Sequence, residues 1–288
     1  MYPANVAYHR ASSVAEAIEL LGENEDAKLI AGGHSLIPLL KLRLAAPSAL
    51  IDIGRIDSLK GTSCGDGTVR IGALTTHSTL ASCSDLQSCS PLIPEAAALI
   101  GDPAVRNRGT IGGNLAHADP ASDLPTVAVA LGATIQATGP NGDRCIAAGD
   151  FFEDLMTTAL GDDEVMTSVE VPETKGGQGT AYAKMLHPAS RYAVVSAAAV
   201  VTVSDGQCTG ASVAVGGVEA KPAKACSVEA ALAGTSLDAC SIESAAKAVA
   251  DDLTGDAIDD VFASGDYRRA MAEVYVRRAL TCAAERAG

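Results

Sequence analysis

Two glycine-rich segments carry the residues whose types and spacing could hold a cofactor. Residues 31–35 read AGGHS, and residues 109–114 read GTIGGN. Glycine lets a ligand approach the backbone closely, and consecutive N–H groups in such a loop can form a concavity that binds an anion. Thr110 and Asn114 add side-chain hydrogen-bond donors. This is the chemistry needed to hold a phosphate or a pyrophosphate.

Neither segment matches a standard phosphate-binding fingerprint. The chain has no GxGxxG spacing at these glycines and no Gly-Lys-Ser/Thr of a P-loop. A single glycine-rich loop is more often only a tight turn. Two such loops, each following a plausible strand, can converge on one extended diphosphate.

With the preceding residues 102–108, DPAVRNR, the two segments resemble the FAD-binding (medium) subunits of molybdenum hydroxylases. The resemblance is strongest to the medium subunits of aerobic carbon monoxide dehydrogenases, and the FAD domain of xanthine dehydrogenase is a relative. It extends over essentially the whole chain and includes SRYAVVSAAA at residues 190–199. It implies flavin adenine dinucleotide (FAD), held by its pyrophosphate between the two loops.

The resemblance also implies which residues contact the FAD. Asp123, in the context SDLP, would accept a hydrogen bond from a cofactor hydroxyl, because an ionised carboxylate is only an acceptor. Thr75 and Thr76, in GALTTH, would reach the ribityl chain, and the ring of Tyr192 would lie over the isoalloxazine. The predicted cofactor-binding set is Ala31, Gly32, Gly33, His34, Ser35, Leu36, Thr75, Thr76, Thr110, Ile111, Gly112, Gly113, Asn114, Asp123, Lys184 and Tyr192.

Several of these residues have purely structural alternatives. Asp123 could stabilise a helix N-terminus, the threonines could cap turns, and Tyr192 could be a core residue of a strand. His34 stands where another branch of flavoproteins attaches its flavin covalently. That branch has Arg-Ser before the glycines, whereas this chain has Ala31, so noncovalent contact is expected.

Positive charge near the cofactor is predicted at two places. Lys184 and Arg191 would lie near the flavin and favour negative charge on its reduced ring. Arg106 and Arg108 precede the second glycine segment, where they either neutralise the diphosphate or brace the loop.

Composition restricts the class of protein. The chain has 288 residues, of which 48% are apolar, enough for two domains and a sizeable core. Its formal net charge of −14 argues against a nucleic-acid partner. There is no apolar run of the roughly 20 residues that span a bilayer, and the first residues, MYPANVAYHR, lack a signal-peptide pattern. We therefore expect a cytoplasmic protein.

The spacing of the cysteines and histidines indicates neither a metal site nor a catalytic residue. No cysteine spacing fits an iron–sulfur or zinc site, and the histidines fit no known ligand pattern. Because molybdenum hydroxylases carry iron–sulfur clusters, those clusters are expected on another polypeptide. The eight cysteines are Cys64, Cys83, Cys89, Cys145, Cys208, Cys226, Cys240 and Cys282.

The elements that must position these residues form two predicted domains. Residues 1–175 are expected to be the FAD-binding domain, with lobes of about 1–55 and 56–175. Residues 178–288 are expected to be a C-terminal α+β domain that closes over the flavin. The turn-rich stretch 172–179, PETKGGQG, is the candidate linker. The predicted fold is α+β: a two-lobed FAD-binding domain of the vanillyl-alcohol-oxidase/PCMH type, then a smaller domain with a three-stranded antiparallel sheet and helices.

Hydrophobic periodicity and turn residues predict the individual elements. Ser13 and Glu16 indicate a capping box at the start of a first helix, which Gly22 should end. Residues 109–114 are expected to form a loop between helices. The other expected helices cover residues 36–42, a short stretch after Thr76 to about Ser82, 91–100, 121–131, 223–233, 241–251 and 264–285, and the C-terminal strands cover 180–186, 194–204 and 208–215.

The resemblance implies electron transfer rather than substrate chemistry on this chain. A molybdopterin-containing large subunit would oxidise a small substrate, and electrons would pass through [2Fe-2S] clusters of a small subunit to the FAD. A quinone or NAD would accept them, and a dimer of heterotrimers is expected. Carbon monoxide, a purine, an aldehyde and an N-heterocycle are all open as substrates.

Two other classes of function remain open. One is a self-sufficient FAD-dependent oxidoreductase of the same cofactor fold, which would need its own acid or base at the flavin. The other is a binding or assembly protein that has lost the cofactor, which two intact glycine loops argue against.

Overall fold

The N-terminal part of the chain is a small parallel sheet with two helices. The computed structural model describes residues 2–287. Three strands pair in the order β1-β3-β2, all parallel. The elements are β1 (Ala7–Arg10), α1 (Val14–Glu23), β2 (Lys28–Ile30), α2 (Leu36–Leu42) and β3 (Ala49–Asp52).

Helix α1 begins as predicted but ends later. The Ser13 hydroxyl accepts the N–H of Glu16 at 3.1 Å, whereas the Glu16 carboxylate accepts the N–H of Ser12 rather than of Ser13. The helix continues through Gly22 and ends at Glu23. No atom lies within 4 Å of the position that a Cβ on Gly22 would take. Strand β1 was not predicted, because its sequence AYHR is an exposed edge strand without apolar alternation.

The second part of the chain is a five-stranded antiparallel sheet covered by helices. The strand order is β4-β5-β10-β6-β7, and a short hairpin, β8-β9, stands apart. The core between sheet and helices contains the buried side chains of Ile71, Leu80, Leu115 and Ile135. The elements are β4 (Thr62–Gly65), β5 (Thr68–Gly72), α3 (His77–Ser82), α4 (Ser84–Cys89), α5 (Leu92–Ala98), α6 (Pro103–Arg106), α7 (Ile111–His117), α8 (Asp123–Leu131), β6 (Thr134–Gly139), β7 (Gly142–Ala147), α9 (Ala148–Phe151), β8 (Phe152–Asp154), β9 (Thr157–Thr158) and β10 (Val165–Pro172).

The second glycine segment is not a loop throughout. Helix α7 begins at Ile111, and the Thr110 hydroxyl caps it by accepting the N–H of Gly113 at 3.2 Å. Gly112 packs against Ala73, the residue that follows strand β5: a Cβ at residue 112 would lie 2.6 Å from the Cβ of Ala73. The glycines here therefore allow a capped helix to lie close to the sheet, which glycine content alone does not indicate.

The C-terminal part is an antiparallel sheet with four helices. The strand order is β11-β12-β13-β14. The prediction of three strands was wrong by one short strand, because the segment expected to open a helix at Ala223 first pairs with β13 for two residues. The helix expected over 241–251 is also broken into two. The elements are β11 (Gln178–Leu186), β12 (Ala193–Ser204), β13 (Gln207–Gly216), β14 (Ala223–Lys224), α10 (Cys226–Leu232), α11 (Ala239–Lys247), α12 (Val249–Asp252) and α13 (Gly265–Ala287).

The C-terminal sheet packs directly on the helices of the second part. Helix α8 lies against β12 and β13, and Tyr182, Ala198 and Ala214 join the core of the five-stranded sheet. At the edge of this contact Arg286 forms an ion pair with Glu95 at 2.7 Å. Within residues 2–287, no helix combines the length and apolarity needed to cross a bilayer.

Candidate functional site

A cavity of about 590 Å³ lies where the three parts of the chain meet. Its walls come from β2 and the loop that follows it, from the starts of α7 and α8, and from the turn before β12. The predicted residues that line it are Ala31, Gly32, Gly33, His34, Ser35, Leu36, Thr110, Gly112, Gly113, Asn114, Asp123 and Tyr192.

The two glycine segments touch each other beside this cavity. A Cβ on Gly32 would overlap the carbonyl oxygen of Arg108 and lie 3.0 Å from the Cα of Gly109. Gly33 has a φ of +74°, which β-carbon-bearing residues rarely adopt. Only glycine at residue 32 allows the two backbones to approach this closely.

The first glycine loop has free backbone donors. The N–H groups of residues 32–35 have no acceptor anywhere in the described chain, and these residues line the cavity. Backbone donors in a folded protein are nearly always paired with protein, water or ligand. Four successive free donors at a cavity wall are suited to the oxygens of an anionic ligand.

Thr75 and Thr76 hold the second segment in place. The N–H of Ile111 donates to the Thr75 carbonyl at 3.0 Å. The Thr75 hydroxyl bonds the backbone of Gly61, and the Thr76 hydroxyl caps α3 by accepting the N–H of Thr79 at 3.2 Å. Both threonines line a second cavity of about 510 Å³, which shares Ala31, Leu74 and Thr110 with the first. Their contact with a cofactor stays a prediction.

Ile111 and Asn114 are both on α7, but their side chains have different surroundings. The side chain of Ile111 is buried in the core and does not line the cavity. Asn114 lines the cavity and donates from Nδ2 to the hydroxyl of Ser122 at 3.1 Å. Its Oδ1 is buried and has no donor among residues 2–287. A ligand hydroxyl or N–H group would supply the missing donor.

A buried ion pair forms the cavity wall at Asp123. Its Oδ1 accepts from the Tyr182 hydroxyl at 2.7 Å and from Lys184 Nζ at 2.8 Å. Lys184 Nζ also donates to the carbonyls of Leu99 and Arg191, at 3.0 and 2.8 Å. Burial raises the pKa of Asp123, against the opposing pull of the Lys184 charge. Three acceptors around Nζ match the three donors of an ammonium, so the pair is ionic.

Lys184 itself does not line the cavity. All three N–H donors of its ammonium are used within the protein, so Lys184 affects the cavity by positioning Asp123. The Oδ2 of Asp123 accepts no hydrogen bond within the described chain. Direct contact of Lys184 with a cofactor stays a prediction. Tyr182 was not predicted, although the spacing Tyr182-x-Lys184 on a strand places both side chains on one face and could have indicated it.

Tyr192 is presented by a closely bonded turn. The N–H of His187 donates to the Tyr192 carbonyl at 2.9 Å, and the N–H of Arg191 donates to the His187 carbonyl at 2.9 Å. Arg191 has a φ of +61°, which lets the chain reverse here. Burial raises the pKa of Tyr192, and the neighbouring Ser35 hydroxyl opposes this shift. Tyr192 thus lies beside the first glycine loop, at the end of the cavity that also contains Asp123.

Of the three predicted arginines, Arg191 lines the larger cavity, whereas the two that precede the second glycine segment do not. Arg106 donates from Nη1 to the carbonyls of Ile100 and Gly101 at 2.8 and 3.3 Å. Arg108 lines the smaller cavity with Thr75 and Thr76. Neither side chain lines the larger cavity, which favours the bracing interpretation for Arg106.

Apolar side chains and one histidine complete the larger cavity without having been predicted. Ile100 and Leu160 give apolar wall, and His77 is buried with no partner for its Nδ1 in the described chain. The apolar residues gave no sequence signal, because they resemble ordinary core residues. Among residues 2–287 there is no group of three His, Cys, Asp or Glu side chains that could hold a metal ion.

Comparison with protein families covers the chain in two parts. The model described as "FAD binding domain in molybdopterin dehydrogenase" matches residues 4–174. The model described as "CO dehydrogenase flavoprotein C-terminal domain" matches residues 180–283.

The chain belongs to the molybdopterin dehydrogenase FAD-binding family. The carbon monoxide dehydrogenase medium chain of Afipia carboxidovorans is 40% identical over 100% of this chain and 99% of its own length. A solved carbon monoxide dehydrogenase from Hydrogenophaga pseudoflava has a TM-score of 0.96 and 41% identity, covering 99% of both chains. The xanthine dehydrogenase FAD-binding subunit of Escherichia coli O157:H7 is 32% identical, covering 62% of this chain and 61% of its own.

Membership of this family confirms the resemblance found in the sequence. The protein is the flavoprotein subunit of an oxidoreductase, and its cofactor is FAD. The fold is the α+β combination of an FAD-binding domain and a C-terminal flavoprotein domain.

The cavity fits the FAD of the molybdopterin dehydrogenase family on three observations. The free N–H groups of residues 32–35 are donors for phosphate oxygens. The free Oδ2 of Asp123 and the buried Oδ1 of Asn114 are acceptors for cofactor hydroxyl or N–H groups. Ile100 and Leu160 provide apolar wall for planar rings.

His77 predicts a pH-dependent stability. Burial lowers its pKa to about 4, below the ordinary value of 6.5. The unfolded chain therefore binds this proton more tightly than the folded chain. The contribution of neutral His77 to the free energy of unfolding is fully present above pH 6.5. As the pH falls toward 4 this contribution is lost, which lowers the free energy of unfolding by about 3 kcal/mol. Urea unfolding should show the wild type losing more stability than His77→Gln between pH 7 and pH 4.

A histidine away from the cavity supplies the control for this measurement. His9 lies on the edge strand β1, and His9→Gln should leave the pH dependence of the wild type in place. Equal pH dependence of the wild type and His77→Gln would contradict the assignment of a buried neutral His77.

Proposed function

We propose that this chain is the FAD-binding electron-transfer subunit of a molybdenum hydroxylase complex. The observation that carries the proposal is the contact between the two glycine segments at Gly32 and Arg108, beside four backbone donors that have no acceptor in the described chain. A loop pair of this kind offers its free donors to an anionic ligand. The full-length similarity to carbon monoxide dehydrogenase medium chains supports the wider assignment.

In this proposal the backbone and side chains divide the FAD between them. The N–H groups of residues 32–35 and the segment 110–114 hold the pyrophosphate. Asp123 accepts a cofactor hydroxyl or N–H group through its free Oδ2, and Tyr192 lies over the isoalloxazine. Thr75 and Thr76 reach the ribityl chain, the other residues of the predicted set complete the contacts, and Lys184 also orients Asp123.

The proposed domains follow the same division. Residues 1–175 form the two-lobed FAD-binding domain of the vanillyl-alcohol-oxidase/PCMH type, and residues 178–288 close over the flavin. The two family models, which match residues 4–174 and 180–283, support a boundary in this region.

The route of electrons is the finer part of the proposal. FAD accepts electrons one at a time and passes them on in pairs, so it connects one-electron carriers with a two-electron acceptor. We place [2Fe-2S] clusters on a small partner subunit, a molybdopterin cofactor on a large one, and a quinone or NAD as the acceptor. Cytoplasmic location and a dimer of heterotrimers belong to the same proposal.

The experiment that tests this route uses the complex co-purified with its partner subunits. Reduction of the [2Fe-2S] subunit should be followed by bleaching of the flavin absorbance, and addition of a quinone or of NAD should restore it. The acceptor that restores the absorbance is the functional one. A flavin that stays oxidised beside reduced clusters contradicts the proposed route. Substrate oxidation by the isolated chain would favour a self-sufficient oxidoreductase instead.

Cofactor loading should depend on the absence of a side chain at residue 32. Gly32→Ala places a Cβ against the Arg108 carbonyl, and overpacking of this kind costs about 1–3 kcal/mol. If the strain is relieved by separating the loops, the affinity for FAD falls by roughly 5- to 150-fold. The measurement is flavin absorbance at a series of FAD concentrations.

Gly22→Ala is the matched control for cofactor loading. Gly22 has no atom within 4 Å of its would-be Cβ, so the same substitution there should leave FAD affinity unchanged. Full FAD affinity in a folded Gly32→Ala variant would show that the contact between the loops is not needed for cofactor binding.

Tyr192 should affect the environment of the flavin more than its occupancy. Aromatic contact changes the absorbance and quenches the fluorescence of a flavin, whereas the phosphate contacts lie elsewhere. Tyr192→Ala should therefore shift the flavin bands and raise fluorescence while FAD affinity changes by less than about tenfold. Tyr267→Ala, at a similarly exposed tyrosine outside the cavity, is the control. An unchanged spectrum would remove Tyr192 from the face of the ring.

A further inference from the structure

An arginine of the C-terminal helix is buried beside the turn that carries Tyr192. Arg268 lies in the first turn of α13 and is only 4% exposed. Its Nη1 donates to the carbonyls of Val194 and Gly217, at 2.5 and 2.8 Å. Val194 is on β12, just after Tyr192, and Gly217 directly follows β13. One nitrogen therefore joins the backbone that leaves the Tyr192 turn to the backbone that leaves β13.

The two segments that this guanidinium joins also hold the start of α8. The N–H of Ala193 donates to the Ala121 carbonyl, and the N–H of Gly217 donates to the Pro120 carbonyl, each at 3.0 Å. Asp123, the first residue of α8, follows shortly after these two carbonyls. The backbone that brings this carboxylate to the cavity and the backbone that brings the tyrosine ring are therefore held at one junction.

This junction is closely packed. Gly217 has a φ of +80°, and a Cβ on it would lie 2.6 Å from the Val194 carbonyl oxygen and 3.0 Å from that of Ala193. Carbonyl groups at a buried junction need hydrogen-bond donors. The Arg268 guanidinium is a donor that Val194 and Gly217 share, so its loss would let the two segments move apart.

The same guanidinium reaches the turn by a second route. Nη2 of Arg268 donates to Oδ2 of Asp260 at 2.5 Å, and Oδ1 of Asp260 accepts the N–H groups of Phe262 and Ala263 at 2.8 and 2.9 Å. The N–H of Ala263, followed by that of Phe262 and by the Arg268 charge, lowers the pKa of Asp260 and keeps it ionised. The Phe262 ring packs on the ring of His187, with the centroids 4.4 Å apart. His187 is the first residue of the turn that ends at Tyr192.

The choice of arginine at this position is informative. Burying a guanidinium is costly, and an apolar side chain of similar volume could fill the same space. An apolar side chain could not hold separate acceptors, whereas the planar guanidinium has donors in fixed directions. The Nε of Arg268 has no acceptor among residues 2–287, so the donors that are used all go to groups around the Tyr192 turn.

We propose that Arg268 is a positioning residue that sets the place of the Tyr192 ring against the isoalloxazine. It acts directly on the backbone that follows the turn, and through the Phe262 ring on the turn itself. The inference rests on the proposed function, because it takes Tyr192 to lie over the isoalloxazine. Arg268 does not line the cavity, so its effect is on the surroundings of the flavin rather than on the phosphate contacts.

The test records flavin absorbance and fluorescence of the FAD-loaded, full-length chain. Arg268→Lys keeps the charge but lacks the planar set of donors, so it should give roughly half or more of the spectral change of Tyr192→Ala. Phe262→Ala changes a side chain that is already partly exposed, and it should give a smaller change of the same sign. FAD affinity should change by less than about tenfold in both variants.

A double variant separates positioning from a general weakening of the fold. If Arg268 acts on the flavin through Tyr192, the two substitutions are coupled rather than additive. Arg268→Lys should then add no further spectral change in a chain that already carries Tyr192→Ala. Additive spectral changes would show that Arg268 acts on the flavin by another route, and they would overturn the inference.

The neighbouring residues supply matched controls. Arg269 follows on the same helix, and its guanidinium donates to the carbonyls of Leu253 and Gly255 instead of to the Tyr192 turn. Arg269→Lys should therefore keep the wild-type flavin spectrum. Val261→Ala, at a fully exposed side chain next to Phe262, should keep it as well. Spectral changes in these controls as large as those of Arg268→Lys and Phe262→Ala would contradict a specific role of Arg268.

Failure of the inference and failure of the proposed function give different results. Wild-type spectra for Arg268→Lys and Phe262→Ala, beside a changed spectrum for Tyr192→Ala, overturn the inference while the proposed function stands. A wild-type spectrum for Tyr192→Ala overturns the proposed contact of Tyr192 with the ring, and the inference with it. If Arg268→Lys does not fold, Phe262→Ala and its double variant with Tyr192→Ala provide the same test.

Discussion

The buried ion pair of Asp123 and Lys184 holds together the elements that form the cofactor cavity. Asp123 begins α8, Lys184 is on β11, and the remaining donors of Lys184 go to the end of α5 and to the turn that carries Tyr192. Such a pair adds little net stability, but removing one partner leaves a buried charge and costs about 3–5 kcal/mol. Its value here is positional, because one ammonium fixes three separate backbone and side-chain groups.

The glycine segments allow backbone segments to approach more closely than side chains would permit. Gly32 lets two backbones meet at the Arg108 carbonyl, and Gly112 lets α7 lie against Ala73, just after β5. The result is that free N–H groups remain on the cavity side while the N–H groups of Ile111, Gly112 and Gly113 are used within the protein. The site is therefore prepared by packing on one side and left incomplete on the other, which is what binding of an anionic cofactor requires.

Much of the fold and the two glycine segments of the cavity wall could be predicted from the sequence, for reasons that differ by residue. Periodicity located α2 and the long strands closely, and the resemblance pointed to Asp123 and Tyr192. The edge strand β1 escaped because exposed strands lack apolar alternation. Glycine content could not distinguish the loop expected at 109–114 from the capped helix found there. Thr75 and Thr76 line the smaller cavity and Lys184 lies behind Asp123, and spacing along a chain does not reveal which side of a loop a residue occupies.

The backbone hydrogen bonds across the domain contact have a consequence for building chimeras. The N–H groups of Ala193 and Gly217 donate to the carbonyls of Ala121 and Pro120, two and three residues before Asp123, each at 3.0 Å. The C-terminal domain therefore shapes the start of α8 as well as covering the cavity. Exchange of this domain between relatives would have to carry Tyr182, Lys184 and the 187–192 turn as a set matched to residues 120–123. Cofactor binding in this protein therefore depends on matched residues of both domains, at the place where the domains meet.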